Sequence, residues 1–140
     1  MDIGSLDRFV EAQEKMHPIA MEEIKHGKKR SHWMWFMFPQ LQGLGMSPTA
    51  HLYGISGLEE AKAYLAHPWL SGRLYELCTA LLHHKDKSAQ EIFGNIDAMK
   101  LKSSMTLFAL TTEEHTIFDE ILDIFFDGKM DKRTVEMINK

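Results

Sequence analysis

The sequence predicts a single compact all-α domain of several helices spanning residues 1–140, and three observations carry that expectation. Capping spellings recur ahead of apolar residues spaced three and four apart. No alternating apolar run bounded by hairpin turns occurs along the chain. A chain of 140 residues, 44% hydrophobic and 26% charged, is long enough to bury one core and too apolar for wholesale disorder. No internal repeat, linker or low-complexity tract divides it.

The first helix is expected to start at Ser5 as N-cap, ahead of a stripe formed by Leu6, Phe9, Val10 and Met16. Gln13 lies on the same stripe and, if buried, needs a hydrogen-bond partner, for which backbone is the expected choice. Pro18 interrupts this helix or begins a new one that carries Ile19, Ala20 and Ile24 to a stop at Gly27, with Lys25 suited to its negative end. Ser56 to Glu59 spells a capping box for a short helix through Ala61 and Leu65 up to His67-Pro68. Pro68 opens the next helix, in which Leu70, Leu74, Leu77, Cys78, Leu81 and Leu82 share the clearest amphipathic stripe. Ser88 and Glu91 repeat the box before Ile92 and Phe93, and Gly94 closes that turn. Asp97 reads as the cap of residues 98–110, which are apolar on most sides and therefore expected at the centre. Thr111 with Glu114 is expected to cap a helix bearing Ile117, Phe118, Ile121, Leu122 and Phe125 as far as Gly128. Asp131 then caps a last helix containing Val135 and Ile138.

Composition excludes several function classes. A formal charge of −4 argues against a nucleic-acid-coating domain, which needs a basic excess to neutralise phosphates. No run approaches the roughly 18 apolar residues of a membrane span, and the N-terminus carries an acid and no apolar signal core, so no membrane partner and a cytoplasmic location are expected. Cys78 is the one cysteine and has no internal partner. It falls in the leucine stripe, where a thiol behaves as a small hydrophobe rather than a nucleophile. Eight histidines include no pair four apart on a helix and no HExxH or CxxC spelling, so neither a metal site nor a cofactor is expected. Gly43-Leu44-Gly45 is too short for a dinucleotide fingerprint, and no phosphate-cradling GxxxxGK[ST] loop occurs. Charge is uneven: Lys25, Lys28, Lys29 and Arg30 cluster, whereas residues 103–128 hold acids and neither Lys nor Arg.

Residues 30–40 break the helical pattern. From Trp33 to Pro39 the only side-chain hydrogen-bonding groups are two indole N–H donors, so the run must be buried or bind something. Arg30, Ser31 and His32 precede it and Gln40 follows, which brings polar groups to the rim of an aromatic-lined cavity. Arg30 offers forked donors to a phosphate or carboxylate, Trp33 and Trp35 offer stacking faces, and His32 is the candidate proton shuttle. The competing reading makes the rings core, with His32 and Gln40 tying down an irregular loop.

Residues 27–47 resemble, almost letter for letter, the signature GRKRSHWMWF-x-FPQL-x-GLG-x-S of the bacterial family catalogued as domain of unknown function 1810 (DUF1810). The resemblance extends through Arg8-Phe9 with Ala12-Gln13, Tyr64-Leu65 before His67-Pro68, residues 91–94, and residues 100–108. It implies a small helical domain and assigns no function. Some members of that family carry the label calpastatin-like; such an inhibitor is a flexible polar chain, whereas an aromatic-rich sequence with capped helices predicts a folded one.

Residues 100–108 supply a second wall for the cavity. On a helix Lys100, Ser103 and Ser104 project to one side of Leu101, Met105 and Phe108, and Lys102 adds a further cation. A phosphate suits these groups; alternatively Ser103, Ser104 and Thr106 bond back to carbonyls of their own helix. Two function classes follow. One is a pocket for a small anionic, nucleotide-like or phosphorylated ligand, with or without catalysis by His32. The other is a non-catalytic module that meets an unspecified protein partner through its charged faces.

Overall fold

Burial concentrates first along residues 103–109, a stretch in which every residue is buried. The computed structural model describes residues 6–139, in which nine helices occur. They are α1 (Asp7–Lys25), α2 (Met34–Met37), α3 (Pro48–Leu52), α4 (Leu58–Ala66), α5 (Pro68–Leu82), α6 (Ala89–Phe93), α7 (Asn95–Ala109), α8 (Ile117–Phe126) and α9 (Lys132–Ile138). Helix α7 is the axis, with α4, α6, α8 and α9 against it, and α5 ties α1, α4 and α8 together.

Helix α1 runs unbroken through Pro18, which neither stops it nor starts a second helix. Proline removes one backbone hydrogen bond, but Phe9 and Gln13 before it and Ala20 and Ile24 after it bury along one continuous face. The expected Ser5 cap lies outside the described residues. At the other end Gly27 takes φ +73° and closes a Schellman turn, its N–H donating to the Ile24 carbonyl and the Lys28 N–H to that of Glu23.

Local spelling is followed closely in α5, α6 and α9. Pro68 opens α5, with His67 Nδ1 accepting from the Trp69 and Leu70 N–H groups. The Ser88–Glu91 box is closed in both directions, and Asp131 accepts from the Thr134 N–H. Three caps differ. Helix α4 starts after Gly57 without a side-chain cap, and Glu60, not Glu59, reaches back to the Ser56 N–H at 2.8 Å. Asp97 sits in the first turn of α7 rather than ahead of it, because the positive φ of Gly94 already turns the chain. Thr111 is spent at the end of α7, donating to the Phe108 carbonyl at 2.6 Å; Thr116 with Asp119 forms the box for α8 instead.

Two helices arise where no helical period is legible. Helix α2 is one turn inside the aromatic run, and α3 is capped by Ser47 with Pro48 at its start. The segment that carries α3 is closed at its base by an isolated parallel bridge between Leu41 and Ile55. Two polar groups of α1 enter the interior with partners. Arg8 grips Glu60 at 3.2 Å and the Leu52 and Gly54 carbonyls, and Gln13 donates to the Phe36 carbonyl at 2.7 Å and to the Tyr64 hydroxyl at 2.9 Å. Burial pushes the Tyr64 hydroxyl pKa well up despite that bond.

Candidate ligand cleft

Glu23, in the last turns of α1, organises the segment that follows it. Its Oε1 accepts the Arg30 N–H at 2.9 Å, the Ser31 N–H at 3.0 Å and the Trp33 indole N–H at 2.8 Å, while Oε2 accepts the Ser31 hydroxyl at 2.5 Å. Desolvation works to raise its pKa, but these four donors outweigh it and hold the carboxyl at about 2. The bonds fold residues 30–33 back against α1. As a result the Ser31 hydroxyl is committed to Glu23, and the exposed Arg30 side chain lies on the face shared with Glu22, His26 and Lys28.

Trp33 follows the anchor inward. It is fully buried, with its ring 6.3 Å from both Phe38 and Phe93, and Lys29 Nζ 5.0 Å above it. One helical turn carries Trp35 to a different environment. It is half-buried and lines an open cleft of about 530 Å³ between residues 29–35 and the start of α7. His32, exposed and without a hydrogen-bond partner among the described residues, stands at the same cleft. Lys100 Nζ lies 4.6 Å from the centre of the Trp35 ring, within cation–π range.

The far wall is the first turn of α7. Gly94 supplies no side-chain cap, and the amides of Asn95, Ile96 and Asp97 meet no acceptor among the described residues. Such a helix end favours negative charge. Asp97 Oδ2 lies 2.8 Å from Lys29 Nζ and its Oδ1 lies 3.5 Å from Lys100 Nζ. Two ammonium groups, Lys29 in the cleft wall and Lys100 beside Trp35, share the one carboxylate.

The residues named from sequence therefore divide. His32 and Trp35 line the cleft, and Lys100, which does not line it, places its ammonium over the Trp35 ring. Gln40, Lys100 and Ser103 line a neighbouring hollow. Arg30, Ser31 and Trp33 turn toward Glu23. Lys102 is half-buried and lines neither space; Ser104 is sealed in the core with its hydroxyl unpartnered among the described residues. Ser103 and Thr106 donate back to the Met99 and Lys102 carbonyls at 3.1 and 2.8 Å.

Sequence reasoning missed Glu23, Lys29 and Asp97. The Asp97–Lys100 spacing is a legible pair on one helix face, whereas the approach of Lys29 to Asp97 exists only in the fold. Among the described residues no three His, Cys, Asp or Glu side chains gather as a metal-binding group. Cys78 is buried, and desolvation pushes its thiol pKa well up. No described helix is long and apolar enough to cross a membrane.

The profile described as Protein of unknown function (DUF1810) matches residues 4–138. The crystal structure of the conserved hypothetical protein Rv1873 from Mycobacterium tuberculosis is similar at 47% identity and a TM-score of 0.96, covering 99% of each chain. No curated protein matches the chain.

Proposed function

The chain belongs to the DUF1810 family, and from the geometry of its cleft we propose that it binds a small ligand that joins a planar ring to a negatively charged group. The observation that carries this reading is the ammonium of Lys100 held over the one indole of the aromatic segment that reaches an open cleft. A planar ring gains stacking area on Trp35, and an oxyanion gains Lys29, Lys100 and the first-turn amides of α7. Nucleotides combine the two features. Binding is the better reading than catalysis, because no described group hydrogen-bonds His32 to set its tautomer or orientation for proton transfer.

A panel of AMP, GMP and CMP, read by thermal shift and tryptophan fluorescence, tests this. A nucleotide at a hundred times its Kd stabilises the fold by about 2.7 kcal/mol. The shift should vanish in Trp35→Ala and Lys100→Ala and survive in Arg30→Ala. A flat response to all three nucleotides, or one that persists in Trp35→Ala, overturns the reading.

The second reading, a non-catalytic protein-docking module, draws on Ile96 and Met99. These side chains of α7 are 75% and 55% exposed, Ile96 in the cleft wall and Met99 at the neighbouring hollow. Apolar side chains so exposed beside a charged cleft suit a protein surface. In that case Ile96→Asp abolishes partner capture while nucleotides leave the melting curve unmoved.

A further inference from the structure

Beyond the cleft, a second and smaller hollow of about 210 Å³ lies where the end of the aromatic segment, α7 and the start of α9 meet. Gln40, Lys100, Ser103, Asp131 and Arg133 bring it its polar groups. Lys100 lines this hollow, and its ammonium lies over the ring of Trp35, which lines the cleft. The two therefore adjoin at the Trp35–Lys100 pair.

The electrostatics of the hollow favour an anion. Arg133 is exposed and has no hydrogen-bond or ion-pair partner among the described residues. The Gln40 side-chain amide is likewise unpaired, which leaves two N–H donors free. Asp131 is the opposing charge, but its Oδ2 already accepts the Thr134 N–H at 3.1 Å and hydroxyl at 2.6 Å. The Ser103 hydroxyl donates to Met99, so it offers an incoming group only lone pairs. The unpaired donors are the Arg133 guanidinium and the Gln40 carboxamide; the Lys100 ammonium adds to them while it is shared with Asp97 Oδ1 at 3.5 Å.

We propose that this hollow is an oxyanion subsite, in which Arg133, Lys100 and Gln40 hold a phosphate or carboxylate group. Resting on the ligand reading of the cleft, it makes the ligand an elongated one: its ring lies on Trp35 and a terminal oxyanion sits beyond Lys100. Arg133 comes from α9, far in sequence from the aromatic segment, and supplies the forked contact that Lys100 alone does not.

The test is an NMR titration of the isotope-labelled full chain with inorganic phosphate, and in a parallel arm with acetate, following the Gln40 side-chain amide and the Arg133 Nε–H. Saturable shifts of both signals are expected, and the stronger responder identifies the preferred oxyanion. In Arg133→Ala, which removes an exposed side chain without partners, the Gln40 response should weaken about tenfold in apparent affinity. Arg30→Ala should leave it unchanged, because that side chain lies with Glu22, His26 and Lys28 and lines neither the cleft nor the hollow. If neither anion moves these signals saturably, or if Arg133→Ala responds as the parent does, the subsite is refuted. Loss of nucleotide binding in Trp35→Ala is measured separately, so the cleft can stand without the hollow and the hollow without the cleft.

Discussion

Trp33 and Trp35 stand two residues apart in a run of nearly uniform composition, yet their surroundings have little in common. Trp33 is sealed, its indole N–H bound to Glu23 and its ring set against Phe38 and Phe93. Trp35 is half-buried at an open cleft, beneath the ammonium of Lys100. The difference comes from the one-turn helix α2 together with a carboxylate placed ahead of it. Glu23 draws residues 30–33 onto α1, and a single turn then presents Trp35 on the opposite side, facing α7. A segment whose composition marks it as either core or site is both, with Trp33 in the core and His32 and Trp35 at the cleft.

The comparison breaks most readily at Trp33. Truncation to Ala should cost about 3 to 5 kcal/mol, as for other large buried rings, and should lower the urea midpoint accordingly. Trp35→Ala should cost only about 1 to 2 kcal/mol, since part of its surface already meets water and the loss is mainly partial burial plus one cation–π contact. Equal costs would mean that both rings serve the core alike and that the cleft wall is only packing.

Glu23 supplies the next test. Glu23→Gln keeps the shape but loses charged acceptance of four donors, and should destabilise by about 1 to 2 kcal/mol after allowance for partial exposure. Its pH dependence has a definite sign. Glu23 titrates at about 2 in the folded protein against an ordinary 4.5, so between those values the unfolded chain binds the extra proton. The stabilisation is complete above pH 4.5 and drains away as pH falls toward 2. Unfolding curves at pH 6 and pH 3 should show this loss in the parent chain and a smaller one in Glu23→Gln. An identical pH slope in the two proteins would remove Glu23 as the anchor.

How much was legible follows the range of the interactions. The Ser88–Glu91 box, the Asp131 cap and the Pro68 start are written within three residues, and each reads directly from the chain. The apolar saturation of α7 likewise announces a central helix. Thr111 and Thr116 both precede an acid by three positions, and spelling alone does not choose between them. The choice rests on the Thr111 hydroxyl being taken by the end of α7. The candidate site was legible in residue type but not in direction. Arg30, Ser31 and Trp33 have the right chemistry and point toward Glu23; Lys29 and Asp97 meet only because α7 returns to the segment after some seventy residues. Long-range placement of that kind leaves no periodic trace in a single sequence.

Arg30 offers the smallest expected effect and the sharpest discrimination. Its guanidinium was the first choice for an anion contact, but what it contributes to the fold is its peptide N–H, donated to Glu23 at 2.9 Å. A backbone group survives any side-chain substitution that leaves φ and ψ in place. Arg30→Ala should therefore stay within about 0.5 kcal/mol of the parent in urea, as exposed side chains without partners generally do. It should also leave the nucleotide response untouched, because the side chain lies with Glu22 and Lys28 on the face away from Trp35. A tenfold loss of nucleotide affinity in this variant would mean that the guanidinium swings around the segment to reach the cleft. The separation of Arg30 from the Trp35 face would then fail as a guide to the binding residues.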